Sequence, residues 1–183
     1  MTNNVAYQKN DSKVAFVFSC PGQCEEKANN VCSGLTGKNL NDMLGYCHRK
    51  LPDIFTSGNK DDYMITNAVT KVYYQSLNGK TEATDAAILE KTNQDRLFNE
   101  LNECDFIIAM GDKAKTAIER LPVQGKKIYS EHLSPRHLNF TYESDMDTPS
   151  ARRHDILQHI ADKIIDAICK GEMQPSEYRS DKL

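Results

Sequence analysis

The sequence predicts an α/β fold with a mostly parallel sheet of about four strands. Short, continuous apolar runs alternate along the chain with segments whose apolar residues recur at helical spacing. The apolar runs are not interrupted by polar residues, which is typical of strands that helices cover on both faces. In such sheets ligands bind at the carboxyl ends of the strands. We therefore expect any functional site in the loops that follow the strands.

Four segments are predicted to form the strands of this sheet. They are residues 14–18, 63–67, 106–110 and the short run 127–129. Pro21 and Gly22 break the chain after the first strand, and Gly111 closes the third, because proline and glycine favour turns. The loops of interest, at the strand ends, are residues 19–37, 67–74, 111–112 and 131–139.

Helices are predicted between and after the strands. Apolar residues at helical spacing indicate a helix that passes through Leu40 and Leu51 and stops at Pro52. A second helix-like segment runs from about residue 84 to residue 104, and a short helix follows Gly111. Isoleucines that step by four residues indicate a final helix from near Ser150 to near Gly171.

Composition and length fit a single domain of ordinary size. The 183 residues divide into a polar segment 1–12, expected to be disordered, a domain 13–171 and a polar tail 172–183. No run approaches the roughly 18 apolar residues of a membrane span, and no charged-then-apolar leader is present. We therefore expect no membrane association and a cytoplasmic location, in which the six cysteines remain reduced thiols.

The loop after the first strand contains the first candidate site residues, Ser19, Cys20, Pro21, Gly22 and Gln23. Proline fixes the backbone and glycine lets it approach a ligand closely, although the same residues also make ordinary tight turns. Cys20 invites a nucleophile interpretation, but a small buried thiol is the role that such a residue more often has.

The following loop adds Cys32 and Gly34, just before the first long helix. Backbone amides at a helix start can hold an anion. The spacings between Cys20, Cys24 and Cys32 fit no zinc or iron–sulfur pattern. We therefore expect neither a metal nor another cofactor.

Two further loops carry polar residues suited to recognition and catalysis. Asn67 ends the second strand, where its amide offers donors and an acceptor to a base edge or caps a turn. His132 can stabilise an oxyanion, Ser134 and nearby amides can hold a phosphate, and Arg136 adds local positive charge. A surface loop with incidental histidines is the alternative interpretation.

Taken in order, these loops resemble the motifs of the uracil-DNA glycosylase superfamily, most closely its family 4. Phe18–Gly22 matches that family's Gly-Glu-Ala-Pro-Gly, and Cys32–Gly37 matches its Phe-Val-Gly-x-x-Gly. Ile65–Thr70 matches Ile-Thr-Asn-Val-Val-Lys, and Ala109–Gly111 matches Ala-x-Gly. His132–Pro135 matches the signature His-Pro-Ser-Pro. The resemblance extends over most of the chain.

The resemblance implies a three-layer α/β/α sandwich with a parallel sheet in the order 2-1-3-4. It also implies a DNA glycosylase that flips a modified base out of the duplex and hydrolyses its N-glycosidic bond. By this similarity His132 stabilises the departing anion. In this chain, which lacks the family's acid, we expect Ser19, Gln23 or Cys20 to help position water. The residues expected to contact the base are Asn67, Pro21, Gly22, Gln23 and Cys32. Those expected to contact phosphate or DNA are Ser134, Arg136 and Gly34.

The chain also departs from the family pattern. Relatives carry Asp or Asn at the position of Cys20, family 4 carries Glu at the position of Ser19, and both acids are missing here. Glu25 or Glu26, from the following loop, are the nearest substitutes in sequence. Cys32 replaces an aromatic residue that stacks on the base, and the four cluster-binding cysteines of family 4 are missing.

Three hypotheses follow from these residues. The first is a divergent glycosylase that acts on uracil or another modified base, in single- or double-stranded DNA. The second is a catalytically silent module of the same fold that binds DNA, a base or a protein partner. The third is an unrelated flavodoxin-like or nucleotide-binding α/β domain, which the lack of a Gly-x-Gly-x-x-Gly motif or a P-loop disfavours. For the first we expect a monomer, found at the nucleoid when bound to DNA.

Overall fold

Four parallel strands in the order β2-β1-β3-β4 form the centre of the structure. We describe them from a computed structural model of the chain, which covers residues 4–5, 7–8 and 11–170. The strands are β1 (Val14–Phe18), β2 (Met64–Asn67), β3 (Phe106–Met110) and β4 (Lys126–Ser130). The predicted α/β fold, with helices on both faces of the sheet in this strand order, is confirmed.

Helices fill the connections between the strands and follow the last one. In chain order they are α1 (Gln23–Ala28), α2 (Gly34–Lys50), α3 (Gln75–Asn78), α4 (Asp85–Ile88), α5 (Lys91–Leu101), α6 (Asp112–Ile118), α7 (Pro135–Thr141) and α8 (Pro149–Lys170). A 3-10 turn at Lys60–Asp62 precedes β2. Within the described ranges, the structure contains no helix that is both long and apolar enough to cross a membrane.

The core consists of two layers, one on each face of the sheet. Alternate strand residues, such as Phe16 and Phe18 of β1, pack with α2 and α8 on the first face. Their neighbours, such as Ala15 and Val17, pack with α4, α5 and α6 on the second face. All five residues of β1 are buried, because a central parallel strand is covered on both faces. This explains the uninterrupted apolar runs in the sequence.

Two predicted elements differ from the structure in their extent. The helix-like segment 84–104 divides into α4 and α5, because the chain leaves the helical path at Leu89 and Glu90. The predicted loop 131–139 contains the start of α7. Ser134 caps this helix and Pro135 occupies its first turn, where a missing backbone N–H costs nothing.

The N-terminal segment was expected to be disordered over residues 1–12, and at its described residues the structure departs from this expectation. Asn4 and Gln8 form isolated antiparallel bridges with Lys71 and Ile65. Val5 between them is buried, with 3% of its surface exposed. The physical reason is that β2 is an edge strand. Its unpaired backbone N–H and C=O groups can form hydrogen bonds with another segment of the chain. The tail 172–183 lies outside the described residues.

Candidate functional site

Asn67 lies at the carboxyl end of β2, on the face of the sheet that α2 covers. Its Cα is in register with that of Phe18, the last residue of β1. The preceding Thr66 donates a hydrogen bond from Oγ1 to Glu100 of α5 on the opposite face, at 2.7 Å. Because side chains alternate along a strand, Asn67 points to the α2 side. It is 5% exposed, and its Nδ2 has no hydrogen-bond partner.

A partly buried ion pair on the other face fixes the backbone of Asn67. Arg96 of α5 donates from Nη2 to the Asn67 carbonyl at 2.9 Å, and from Nη1 to both carboxylate oxygens of Glu100. The Glu100 side chain is only 4% exposed. Sequence reasoning missed this contact, although the spacing of Arg96 and Glu100 by four residues on a helix was a usable signal.

His132 lies across the ends of β1 and β3. Its ring meets the ring of Phe18 edge to face, with 6.1 Å between the ring centroids. It also covers Gly111, where an added Cβ would lie 3.1 Å from the His132 Cβ. Gly111 has φ +97°, a conformation that favours glycine. His132 and Asn67 therefore both adjoin Phe18 at the carboxyl edge of the sheet.

The hydrogen bonding of His132 defines which nitrogen carries its proton. The backbone N–H of Ser134 donates to Nδ1 at 3.0 Å, so Nδ1 is the unprotonated nitrogen. Burial, with a smaller contribution from the nearby His137, lowers the pKa of His132 from its ordinary 6.5 to about 4. At neutral pH the imidazole is therefore uncharged and has one donor, Nε2–H.

The loop that carries His132 is anchored on both sides. Asn39 of α2 donates from Nδ2 to the Leu133 carbonyl at 2.8 Å, and Leu133 itself is fully buried. His137 of α7 contacts Glu131 through Nε2 at 2.8 Å. This hydrogen bond lowers the pKa of the Glu131 carboxyl group. Sequence reasoning did not single out Asn39, a polar residue within the apolar stripe of its helix.

Cys20 turns away from the His132 side of the sheet. Its Sγ donates to the Thr81 carbonyl at 3.5 Å, and it packs against the core layer of α4, α5 and α6. Ser19 is 7% exposed and donates from Oγ to the Cys20 sulfur at 3.8 Å. Burial raises the pKa of the Cys20 thiol, so this sulfur stays protonated and is a poor nucleophile. The predicted catalytic set His132, Ser19 and Cys20 is thus not gathered at one point.

The rest of the loop after β1 is held by Glu25. Its two carboxylate oxygens accept hydrogen bonds from the backbone N–H of Gly22 at 3.0 Å and of Ser33 at 2.8 Å. Pro21 is buried and accepts from the backbone N–H of Tyr73 at 2.9 Å, while Gln23 is exposed at the start of α1. Glu25 therefore ties together the two loops that were predicted to line the base pocket.

The second of these loops is tightly packed. Cys32 has a left-handed backbone with φ +48° and is 4% exposed, and burial raises the pKa of its thiol. A Cβ on Gly37 would lie 2.0 Å from the Cys32 carbonyl oxygen, so glycine is needed there. Gly34 has φ +66°, and a Cβ on it would lie 3.2 Å from the sulfur of Cys24 in α1. The space beside its Cα is therefore filled by α1.

The predicted phosphate contacts, Ser134 and Arg136, lie at the start of α7. The Ser134 hydroxyl oxygen accepts from the backbone N–H of His137 at 3.3 Å and so caps the helix. Its own hydrogen remains available to a ligand. Arg136 is exposed on the first turn, one residue beyond Pro135. These two residues are close to His132 in sequence and share its loop.

Two further observations concern ligand sites elsewhere in the described residues. In residues 4–5, 7–8 and 11–170, no three His, Cys, Asp or Glu side chains lie close enough together to hold a metal ion. A cleft of about 220 Å³ between α2 and α8, beside the Asp42–Arg153 ion pair, contains none of the predicted site residues.

Comparison with family models and with curated proteins finds no match to the chain.

Proposed function

We propose that this protein is a divergent DNA glycosylase, which binds a modified base flipped from DNA and hydrolyses its N-glycosidic bond. The observation that carries the proposal is that Asn67 and His132 both adjoin Phe18 at the carboxyl edge of the sheet. Asn67 offers a buried amide whose Nδ2 has no partner. His132 offers a neutral imidazole. Its Nδ1 accepts a hydrogen bond from the Ser134 N–H, so its Nε2–H is the donor that remains for a ligand. Together they supply two oriented donors at the edge where parallel sheets bind ligands.

In this reaction the bond between C1′ and the base nitrogen breaks, and its electron pair leaves with the base. Negative charge then develops on the carbonyl oxygen of the departing base. The Nε2–H of His132 is suited to stabilise that oxygen, because a neutral donor in a desolvated place needs no reorganisation. Water adds to C1′ and releases its proton to solvent.

Binding to DNA is expected to be weak and sensitive to salt. The net charge of the chain is −3, so bulk attraction to phosphate is lacking. Arg136 and the hydroxyl of Ser134 supply a local contact next to the His132 loop. We expect these two residues to carry the salt-dependent part of the affinity, while Asn67 sets the preference among bases.

A second candidate function is base or DNA binding without cleavage. The observation that favours it is that the two carboxylates nearest to the site in sequence already accept hydrogen bonds from other groups of the protein. Glu25 accepts two backbone hydrogen bonds, and Glu26 accepts one from the Tyr74 hydroxyl at 2.6 Å. Family 4 uses an acid at the position of Ser19 to activate water. In this arrangement neither Glu25 nor Glu26 takes the place of that acid.

A base-release assay separates the two functions. Purified protein is incubated with single- and double-stranded oligonucleotides that carry uracil, hypoxanthine, xanthine or a bulky modified pyrimidine. Removal of an oxyanion donor typically costs about a hundredfold in rate, so His132→Ala should lose release by at least that factor. His154→Ala replaces an exposed histidine of α8 and serves as the matched control.

The outcomes of this assay are distinct. Release that persists in His132→Ala would refute the role assigned to the imidazole. No release by folded wild-type protein, combined with retained binding to a base-containing oligonucleotide, would select the silent binding module. Loss of both release and binding would reject both functions.

A further inference from the structure

The cleft between α2 and α8 takes no part in the proposed function. Its volume is about 220 Å³. On α2 its lining residues Asn41, Gly45 and Arg49 follow one another at four-residue steps, so they form one stripe along the helix. The buried Leu157 of α8 lines it from the other side. Pockets of roughly 300–1,000 Å³ hold drug-sized molecules, so this smaller cleft suits a small ligand.

Gly45 keeps this cleft open. Glycine in the interior of a helix is less stable than alanine, and it therefore calls for a reason. A Cβ on Gly45 would meet the Nη1 atom of Arg49 at 3.8 Å, which is ordinary van der Waals contact, and nothing closer in the neighbouring elements. Packing between elements does not require glycine at this position. The space that a side chain would fill is instead part of the cleft.

The guanidinium group of Arg49 lies over this space. Helical side chains point towards the helix N-terminus, and the Arg49 side chain reaches back by one turn to Gly45. Its Cζ lies 5.9 Å from the centroid of the Tyr46 ring. In the described part of the chain, Arg49 forms no ion pair with a carboxylate and donates no hydrogen bond. Its N–H donors are therefore available to an anion, which guanidinium groups bind through two parallel hydrogen bonds.

The other end of the cleft carries a donor and an acceptor side by side. Arg153 donates from Nη2 to Asp42 Oδ2 at 2.8 Å, so the charge of Asp42 is already balanced and its Oδ1 remains an acceptor. Asn41 accepts the backbone N–H of Lys60 through Oδ1 at 2.7 Å, and its Nδ2 remains a donor. A hydroxyl group both donates and accepts, so it matches this pair.

We propose that this cleft binds a small phosphate ester that carries hydroxyl groups, of the sugar phosphate or polyol phosphate class. Arg49 binds the phosphate group, and Asn41 with Asp42 binds a hydroxyl group. The guanidinium lies at the level of Gly45, and the four residues from Asn41 to Gly45 rise by about 6 Å along the helix. A three-carbon phosphate ester spans this distance. The site is separate from the strand ends and does not depend on base release.

Two matched ligands test the chemistry of the site on the full chain. Binding of glycerol 3-phosphate and of propyl phosphate is followed by NMR titration. Both are phosphate monoesters of a three-carbon chain, but propyl phosphate has no hydroxyl group. We expect glycerol 3-phosphate to shift the backbone amide signals of Gly45 and Arg49. Propyl phosphate should bind roughly three- to tenfold more weakly, because it makes no hydrogen bond with Asn41 or Asp42.

A variant pair tests the role of Arg49. Arg49→Gln should weaken the binding of glycerol 3-phosphate by about tenfold or more, because a hydrogen-bonded charge is lost. Lys50→Gln is the matched control. It removes the same charge from the next residue, whose Nζ lies 5.4 Å from the centroid of the Tyr46 ring, but Lys50 does not line the cleft. It should keep an affinity close to that of the wild type at about 0.15 M salt, where exposed charges are screened.

A third variant tests the cleft itself. Gly45→Met places an unbranched side chain in the open space, so it should abolish the binding of glycerol 3-phosphate. Its melting temperature should not fall, because methionine is a better helix former than glycine. Binding that persists in folded Gly45→Met would show that the ligand binds elsewhere and would overturn the proposal.

The remaining outcomes are also decisive. Failure of glycerol 3-phosphate to bind the folded wild type would overturn the proposal, and so would equal weakening by Arg49→Gln and Lys50→Gln, which is a general effect of charge. Equal binding of propyl phosphate would overturn the assignment of a hydroxyl group. A single-stranded oligonucleotide that displaces glycerol 3-phosphate, and that loses affinity in Arg49→Gln alone, would assign the cleft to the DNA backbone and overturn the free ester.

Discussion

The neutral state of the half-buried His132 predicts how the stability of the protein changes with pH. Burial lowers the pKa of His132 from 6.5 to about 4 in the folded protein. Unfolding restores the ordinary pKa of 6.5. Between pH 6.5 and pH 4 the unfolded chain therefore binds a proton at His132 that the folded protein does not bind. This contribution to stability is fully present above pH 6.5 and is lost as the pH falls towards 4.

The size of the effect follows from the two pKa values. Each pKa unit corresponds to about 1.4 kcal/mol, so between pH 7 and pH 5 the free energy of unfolding should fall by about 2 kcal/mol from His132 alone. His132→Gln removes the titration and keeps a side-chain oxygen that can accept from the Ser134 N–H. The variant should therefore lose about 2 kcal/mol less than the wild type over this range.

Urea unfolding followed by far-ultraviolet circular dichroism is the suitable assay, since the chain has no tryptophan. Titrating groups remote from His132 contribute equally to both proteins and cancel in the difference. His154→Gln, at an exposed position of α8, is the control and should behave as the wild type. Equal losses of stability in His132→Gln and the wild type would refute the lowered pKa of His132.

Three further predictions follow from the same region. Base release should stay constant from pH 8 down to pH 5, because His132 remains neutral; a decline centred near pH 6.5 would contradict this. Gly111→Ala should cost about 2 kcal/mol or more in urea unfolding, since its Cβ meets His132, whereas Gly79→Ala, with open space around it, should cost about 1 kcal/mol. Arg96→Met should destabilise the protein by about 3 kcal/mol by leaving the buried Glu100 unpaired, and adding Glu100→Gln should restore part of that loss. Equal effects of the two alanine changes, or no restoration by Glu100→Gln, would show these explanations to be wrong.

The strands could be predicted closely because their signal is local. The runs 14–18 and 106–110 are strands at those bounds, and the final helix begins within one residue of Ser150. Continuous apolar residues and isoleucines at four-residue steps report burial directly. The division of segment 84–104 was missed, because residues 89 and 90 leave the helix without a proline or glycine to mark the break.

The N-terminal contacts had no comparable signal. The segment is polar in composition, and Val5 is an isolated apolar residue. Its burial depends on the edge of β2, which lies some sixty residues further along the chain. A single apolar side chain does not reveal such a partner in the sequence.

The site was predicted in part. Asn67 and His132 were chosen from their positions after strands, and the structure puts both beside Phe18. Cys20 was chosen in the same way, yet its side chain faces the opposite core layer. Successive residues after a strand point in different directions. A loop motif therefore predicts which loop lies near a site, but not which of its side chains point into that site.

By itself, the sequence determined the α/β class, the strands and the loops that follow them, because apolar runs, helical spacing and punctuation by proline and glycine act over a few residues. The tertiary structure decided which polar groups lack partners. The unpartnered Nδ2 of Asn67 depends on burial and on contacts between distant segments, and the tautomer of His132 depends on how its loop is folded. Desolvation and hydrogen bonding are properties of the folded surroundings, and they give these residues the chemistry proposed for them.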